Sequence, residues 1–202
     1  MLTIALPKGR IADETLDRFE KAFNEKFVFE DRKLILEKSG FKFLNVRNQD
    51  VPTYVMHGAA DLGVVGLDVL EEKEYDLIKL LDLKLGRCKV AFGLRAGEKL
   101  NFDKSKITIA TKHEKIAKKY FEQKAMAVEI IKLYGSIELA PLVGLCDCIV
   151  DIVETGETMK QNGLEVGPTI METTAHLIAN KNSFYAKKDL IFDLKDKLEK
   201  FL

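Results

Sequence analysis

The sequence predicts an α/β protein in two lobes, on three observations. Short apolar runs alternate with amphipathic stretches along the chain, the pattern of strands and helices taking turns. At 202 residues the chain falls between one large domain and two small ones. A second α/β block starts near Cys88. Residues 1–88 with 172–202 are expected to form one lobe, and 89–171 a second lobe inserted into it. Two lobes joined by crossing strands leave a cleft, where small ligands commonly bind.

The elements follow in order. Leu2–Leu6 reads as a buried strand and Pro7-Lys8-Gly9-Arg10 as a turn. Ala12, Leu16, Phe19 and Phe23, spaced 4, 3 and 4 apart, predict one helix face. Lys33–Glu37 and Phe41–Val46 read as paired strands around Ser39-Gly40. Asp50 is placed to cap a short helix, with Pro52 in its first turn and Gly58 beyond its end. Asp61–Gly66 and Leu77–Leu83 complete the first set of strands. In the second block, strands are expected at Lys89–Leu94, Ile107–Ala110, Val128–Leu133 and Cys148–Val153. Helices are expected around Lys115–Lys124 and Glu138–Gly144. A strand at Thr174–Asn180 and a helix with a stripe of Leu190, Ile191, Leu194, Leu198 and Phe201 close the chain, and a stripe of that kind docks.

Composition excludes several functions. Lys plus Arg equals Asp plus Glu at 32 each, so net charge draws the chain to neither nucleic acid nor an anionic membrane. Affinity for phosphate must come from local geometry. The opening MLTIALPKGR is too short and too soon charged for a signal peptide, and no apolar run approaches about 18–20 residues. Cys88, Cys146 and Cys148 contain no CxxC pair, which predicts neither a disulfide framework nor a zinc site. A cytoplasmic protein fits. Cys146 and Cys148, two apart on an expected strand, are read as small hydrophobes on one face. His57, His113 and His176 are scattered and read as structural or surface residues. No Ser/His/Asp order, HExxH or GxxxxGK[ST] occurs.

The chemistry concentrates in Cys148-Ile149-Val150-Asp151-Ile152-Val153-Glu154-Thr155-Gly156-Glu157-Thr158. A buried strand ends near an acid, and a Thr/Gly loop opens a helix. Backbone N–H groups at a helix start converge, the dipole favours negative charge, and Gly156 permits close approach. Thr155 and Thr158 add hydroxyl donors, and Asp151 can accept from sugar hydroxyls. An acid for a ribose and a nest for its 5′-phosphate suit a phosphoribosyl group. The same residues also read as an ordinary strand-to-helix turn. Lys8 and Arg10 could hold a pyrophosphate, Arg through its planar fork and Lys as a point charge, or could form a solvated basic turn. Arg32, Arg47 and Asp50 taken singly are surface or capping residues, and Glu138 a first-turn charge.

Taken together, LPKGR (6–10), DRKLI (31–35), RNQDVPTYV (47–55), GAADLGVVGLDVLEE (58–72) and GSIELAPLVGLCDCIVDIVETGETMKQNGL (135–164) resemble the ATP phosphoribosyltransferase family across nearly the whole chain. In the last stretch an acid, Glu138, stands thirteen residues before Asp151, which precedes a TGxT loop. The resemblance implies a fold like type II periplasmic binding proteins, with the ligand site in the cleft. It implies that Glu154, Thr155, Gly156, Glu157 and Thr158 wrap the 5′-phosphate of phosphoribosyl pyrophosphate (PRPP), with Glu138 and Asp151 near the ribose. Lys8, Arg10 and Arg32 would serve the pyrophosphate or ATP phosphates as catalytic cations. Arg10 and Asp68 would lie near the nucleotide. Two acids beside a phosphate require the side chains of Glu154 and Glu157 to turn outward. Mg²⁺ would come with the substrate phosphates, without a protein ligand.

The resemblance also implies attack by adenine N1 of ATP on the ribose C1 of PRPP, the first step of histidine biosynthesis. The chain resembles the short form, which lacks a C-terminal regulatory domain. The implied partner is a regulatory subunit resembling histidyl-tRNA synthetase, with a homodimer of this chain inside a hetero-octamer. Two alternatives remain open on the residues: a non-catalytic two-lobed ligand binder, and a PRPP-dependent transferase with another acceptor.

Overall fold

The computed structural model describes residues 1–101, 104 and 106–202. The chain runs β1 (Leu2–Pro7), α1 (Arg10–Phe23), β2 (Ile35–Lys38), β3 (Phe41–Val46), α2 (Val51–Met56), β4 (Leu62–Gly66), α3 (Leu67–Lys73) and β5 (Ile78–Asp82). It continues through β6 (Cys88–Arg95), β7 (Ile107–Thr111), α4 (Glu114–Glu122), β8 (Val128–Lys132), α5 (Leu139–Leu142), β9 (Cys148–Val153), α6 (Glu157–Gln161) and β10 (Leu164–Thr173). It closes with β11 (Ala175–Ala179), α7 (Lys181–Ala186) and α8 (Lys188–Glu199). Two units result, Met1–Gly86 with Thr174–Leu202, and Arg87–Thr173.

The first unit holds a six-stranded sheet in the order β2-β3-β1-β4-β11-β5. β1 is parallel to β3 and β4, while β11 is antiparallel to β4 and β5. Its central strands are covered on both faces, which explains their unbroken apolar runs. On one face Ile4 and Leu6 meet Leu16 and Phe19 of α1 and Ile191, Leu194 and Leu198 of α8. Phe19 sits edge-on to Phe41 and Phe43, with ring centroids 5.3 and 5.1 Å away. On the other face Ala5, Val65 and Ile178 meet Val51, Val55 and Val69. Gly63 makes that face possible, since a Cβ there would lie 2.7 Å from Val51 and Val55.

The second unit holds a five-stranded sheet in the order β10-β6-β9-β7-β8. β7 is parallel to β8 and β9, and β6 is antiparallel to β9 and β10. Phe92, Ile109, Cys148 and Val150 pack with Ile116 and Phe121 of α4 on one face. Ala91, Ala110 and Ile149 meet Ile137, Ala140 and Met159 on the other.

Several expectations need correction. The cysteines do not share a face: Cys148 joins the α4 side, whereas Cys146 precedes β9 and joins the opposite core. The chain bends at Asp147, whose carboxylate accepts the Thr108 amide at 2.9 Å and Lys104 at 2.6 Å, so strand alternation has not begun at Cys146. In α8 only Ile191, Leu194 and Leu198 are buried; Leu190 and Phe201 are 52% and 42% exposed. Asp50 precedes α2 without a side-chain cap bond. The unexpected element is β10, ten residues containing Gly167-Pro168. Pro reads as a strand breaker, but β10 is an edge strand whose register shifts between Val166 and Thr169, the setting in which Pro is tolerated. α7 also went unforeseen, and Asn180 caps it through the Ser183 amide at 3.0 Å.

Two acids in the first unit predict its acid response. Burial pushes Asp61 upward, but Lys187, the Thr3 amide and Ser183 hydrogen-bond its carboxylate and hold it below its ordinary value. Lys187 lies 2.7 Å away and the Thr3 N–H 2.8 Å. Burial also opposes ionisation of Asp82, yet the Lys84 side chain and amide, the Thr174 hydroxyl and the His176 charge lower it to about 2. A depressed carboxyl stabilises fully above its unfolded value of about 4, and that stabilisation vanishes as pH falls through the folded value. We therefore expect Asp82→Asn to lose roughly 1–2 kcal/mol at pH 7, after allowance for solvent. The gap from wild type should shrink between about pH 4 and pH 2. Chemical denaturation across that range checks this; a gap that widens on acidification contradicts it.

Candidate active site

The site is built where β7 and β9 run parallel, with Thr111 beside Val150 in register. Thr111 is wholly buried, and its hydroxyl donates to the Val150 carbonyl at 2.6 Å while accepting the His113 amide at 2.8 Å. That pins the exit of β7 against β9 and sets Lys112 next to Asp151. Lys112 Nζ is 2.9 Å from Asp151 Oδ1, which also accepts the Ile152 amide at 2.8 Å. His113, 1% exposed, has its Nε2 3.8 Å from the same oxygen, too far for a hydrogen bond.

Past β9 the chain turns through Glu154-Thr155-Gly156. Gly156 has φ 82° and ψ 0°, a left-handed conformation open to glycine. The Thr155 hydroxyl accepts the Glu157 amide at 3.3 Å. Glu157 is exposed and accepts from Gln161 at 3.0 Å along α6.

These residues surround a cavity of about 310 Å³ lined by Glu138, Asp151, Ile152, Val153, Glu154, Thr155, Gly156, Thr158 and Met159. Glu138, just before α5, is thus brought together with Asp151 and the loop. Glu154 and Thr158 line the cavity and Glu157 does not. The lining holds three carboxylates and no lysine or arginine among the described residues. A bound phosphate must be met mainly by amide N–H groups and the threonine hydroxyls. α6 has only five residues, so its dipole adds less than a long helix would. The amides of its first turn, apart from that of Glu157 taken by Thr155, are the larger contribution.

The other expected site residues belong to the first unit. Lys8 follows β1, its amide donating to the Val46 carbonyl at 2.8 Å. Arg10 opens α1 with its guanidinium 3.6 Å from Glu14. Arg32 is exposed in the turn between α1 and β2. Asp68 is different: in the first turn of α3 it is 3% exposed, packed against Gly66.

Sequence reasoning missed Lys112 and placed His113 among structural or surface residues. The usable signal was local, a lysine and a histidine directly after an apolar strand, much as Lys8 and Arg10 follow β1. Only the pairing of β7 with β9 shows which acid they face.

The α/β fold is one that solved substrate-binding proteins share. The substrate-binding protein of an amino acid ABC transporter superposes with a TM-score of 0.61 at 12% identity, over 98% of this chain and 91% of that one. Relatives at high identity narrow the class. A family profile for ATP phosphoribosyltransferase matches residues 47–200. The chain is 66% identical to an ATP phosphoribosyltransferase of Wolinella succinogenes, covering 99% of this chain and 97% of that protein. It is 64% identical to the one from a Sulfurovum species, over 98% and 97%. A solved chain from the ATP phosphoribosyl transferase (HisG:HisZ) complex of Thermotoga maritima superposes with a TM-score of 0.84 at 36% identity, over 99% and 98%. The chain belongs to the ATP phosphoribosyltransferase family, pentosyltransferases of the first step of histidine biosynthesis.

Proposed function

We propose that the second-unit cavity is the PRPP site at which adenine N1 of ATP attacks the ribose. The observation that carries this is the convergence of Glu138, Asp151, Glu154, Thr155, Gly156 and Thr158 on one cavity. The loop amides with Thr155 and Thr158 receive the 5′-phosphate, and Asp151 and Glu138 accept from the ribose hydroxyls. Glu157, turned to Gln161, contributes its backbone. Glu154 lines the cavity and likewise serves through its backbone, its carboxylate kept off the phosphate.

Attack at C1 with inversion expels pyrophosphate and needs no covalent enzyme intermediate. The chain's contribution is alignment, together with positive charge at the leaving group. Lys8, Arg10 and Arg32 supply that charge toward the pyrophosphate or the ATP phosphates. Asp68, buried in the first turn of α3, stands with Arg10 near the nucleotide in this reading. Among the described residues no group of three or more His, Cys, Asp or Glu is arranged to hold a metal. Mg²⁺ needs no such cage, because it keeps several waters and binds through substrate phosphates; the oxygen-rich lining at Glu138 is compatible with it. The chemistry supplied by bound Mg²⁺ is neutralisation of pyrophosphate charge.

The solved HisG:HisZ complex of a 36% identical chain supports a HisZ partner for this chain; that the partner resembles histidyl-tRNA synthetase, and that a dimer of this chain sits inside a hetero-octamer, is part of the same proposal. No helix among the described residues is long and apolar enough to cross a membrane, and a cytoplasmic location suits an ATP-consuming step.

The test is to mix the purified chain with ATP, PRPP and Mg²⁺, with and without the regulatory subunit, and follow phosphoribosyl-ATP. Product is expected, and its absence in both arms refutes the reading. Thr155→Val is expected to weaken PRPP binding roughly fivefold through loss of one hydroxyl, about 1 kcal/mol. Unchanged affinity by calorimetry removes Thr155 from the phosphate loop.

A further inference from the structure

We propose that Lys112 is a positioning residue for Asp151, a role that rests on reading the cavity as the PRPP site. Among the described residues the Asp151 carboxylate is held through Oδ1, by Lys112 Nζ at 2.9 Å and the Ile152 amide at 2.8 Å, with His113 Nε2 3.8 Å from the same oxygen. This fixes the carboxylate's rotation and leaves Oδ2 as the acceptor for a ribose hydroxyl. Lys112 lies outside the cavity lining, so it acts through Asp151 and not on the substrate.

Charge supports the same assignment. The lining carries Glu138, Asp151 and Glu154 without a lysine or arginine among the described residues. A phosphorylated sugar entering there meets the carboxylates of Glu138 and Asp151. Lys112 offsets that of Asp151 from 2.9 Å and is not itself a lining residue. Its side chain is 36% exposed, against 13% for Asp151. With the carboxylate largely buried, loss of the lysine also carries a folding cost, so thermal unfolding of each variant is read beside its PRPP affinity. The backbone is built to hold Lys112: Thr111 ties the exit of β7 to Val150 and to the His113 amide. His113 lies enclosed beside the pair.

The test compares wild type with Lys112→Met, Lys112→Arg, Asp151→Asn and the Asp151→Asn/Lys112→Met double variant. PRPP and ATP binding are measured separately by calorimetry on the full chain. Lys112→Met is expected to weaken PRPP binding by about tenfold or more, the usual effect of losing a charged hydrogen bond, with ATP affinity unchanged. Lys112→Arg should recover most of the loss. In the Asp151→Asn background, adding Lys112→Met should change PRPP affinity by less than about twofold, because a residue acting through Asp151 has nothing left to position. The proposal is overturned if Lys112→Met binds PRPP as wild type does, if arginine fails to rescue, if ATP affinity falls in parallel, or if the loss persists undiminished in the double variant. Wild-type protein that binds no PRPP would remove the reading of the cavity itself. Wild-type binding with an indifferent Lys112→Met removes this proposal alone.

Discussion

Gly156→Val is expected to weaken PRPP binding by about a hundredfold or more while both sheets stay folded. Gly156 sits at φ 82°, and a Cβ on it would lie 2.9 Å from Val166 Cγ2 on β10. A β-branched residue in that backbone region costs about 1–3 kcal/mol, and Val166 is stiff at χ1 and yields little. The loop relieves both by shifting, and a displacement near 1 Å at a substrate-positioning loop typically costs about a hundredfold. Gly156→Ala meets the same clash with less bulk and should fall between the two. Calorimetry with PRPP, alongside thermal unfolding of each variant, reads the result. Wild-type affinity in a folded Val variant would show that the loop does not hold the 5′-phosphate.

Arg10→Ala is expected to slow the chemical step by about a hundred- to a thousandfold, the usual cost of about 2.7–4 kcal/mol for losing one contact to developing charge. Its structural cost should be small. The guanidinium is 3.6 Å from Glu14 on an exposed helix turn, and pairs of that kind contribute about 0.3–0.5 kcal/mol. A large fall in rate with little change in stability therefore points to chemistry. Arg10→Lys should restore only part of the rate, since an ammonium keeps the charge and loses the two-pronged geometry. A single-turnover rate equal to wild type in Arg10→Ala would remove Arg10 from the reaction.

Much of this was legible in residue order because it is written in short periods. β9 was read from Cys148 to Val153 as it stands, since a strand covered on both faces must be apolar throughout. The face of α1 followed from spacing, and Ala12, Leu16 and Phe19 are buried as expected. The Thr-Gly loop after β9 was visible because a left-handed turn before a helix calls for glycine. β10 was not legible: its Gly-Pro pair argues against a strand unless one knows that the strand lies at a sheet edge. The two cysteines misled for a related reason, because alternation holds only inside a strand and β9 begins at Cys148.

By itself the sequence determined most of the elements, β10 and α7 excepted, the buried face of α1, the phosphate-loop candidate and, through resemblance, the family. These depend on neighbours within about ten residues or on motifs kept in order. Tertiary structure decided that Glu138 shares a cavity with Asp151, that Asp68 is buried, and that Lys112 pairs with Asp151. Those juxtapositions depend on which strands lie side by side. β7 and β9 are far apart in the chain, and their pairing is settled by how two covered faces pack at once, a condition that no local pattern carries.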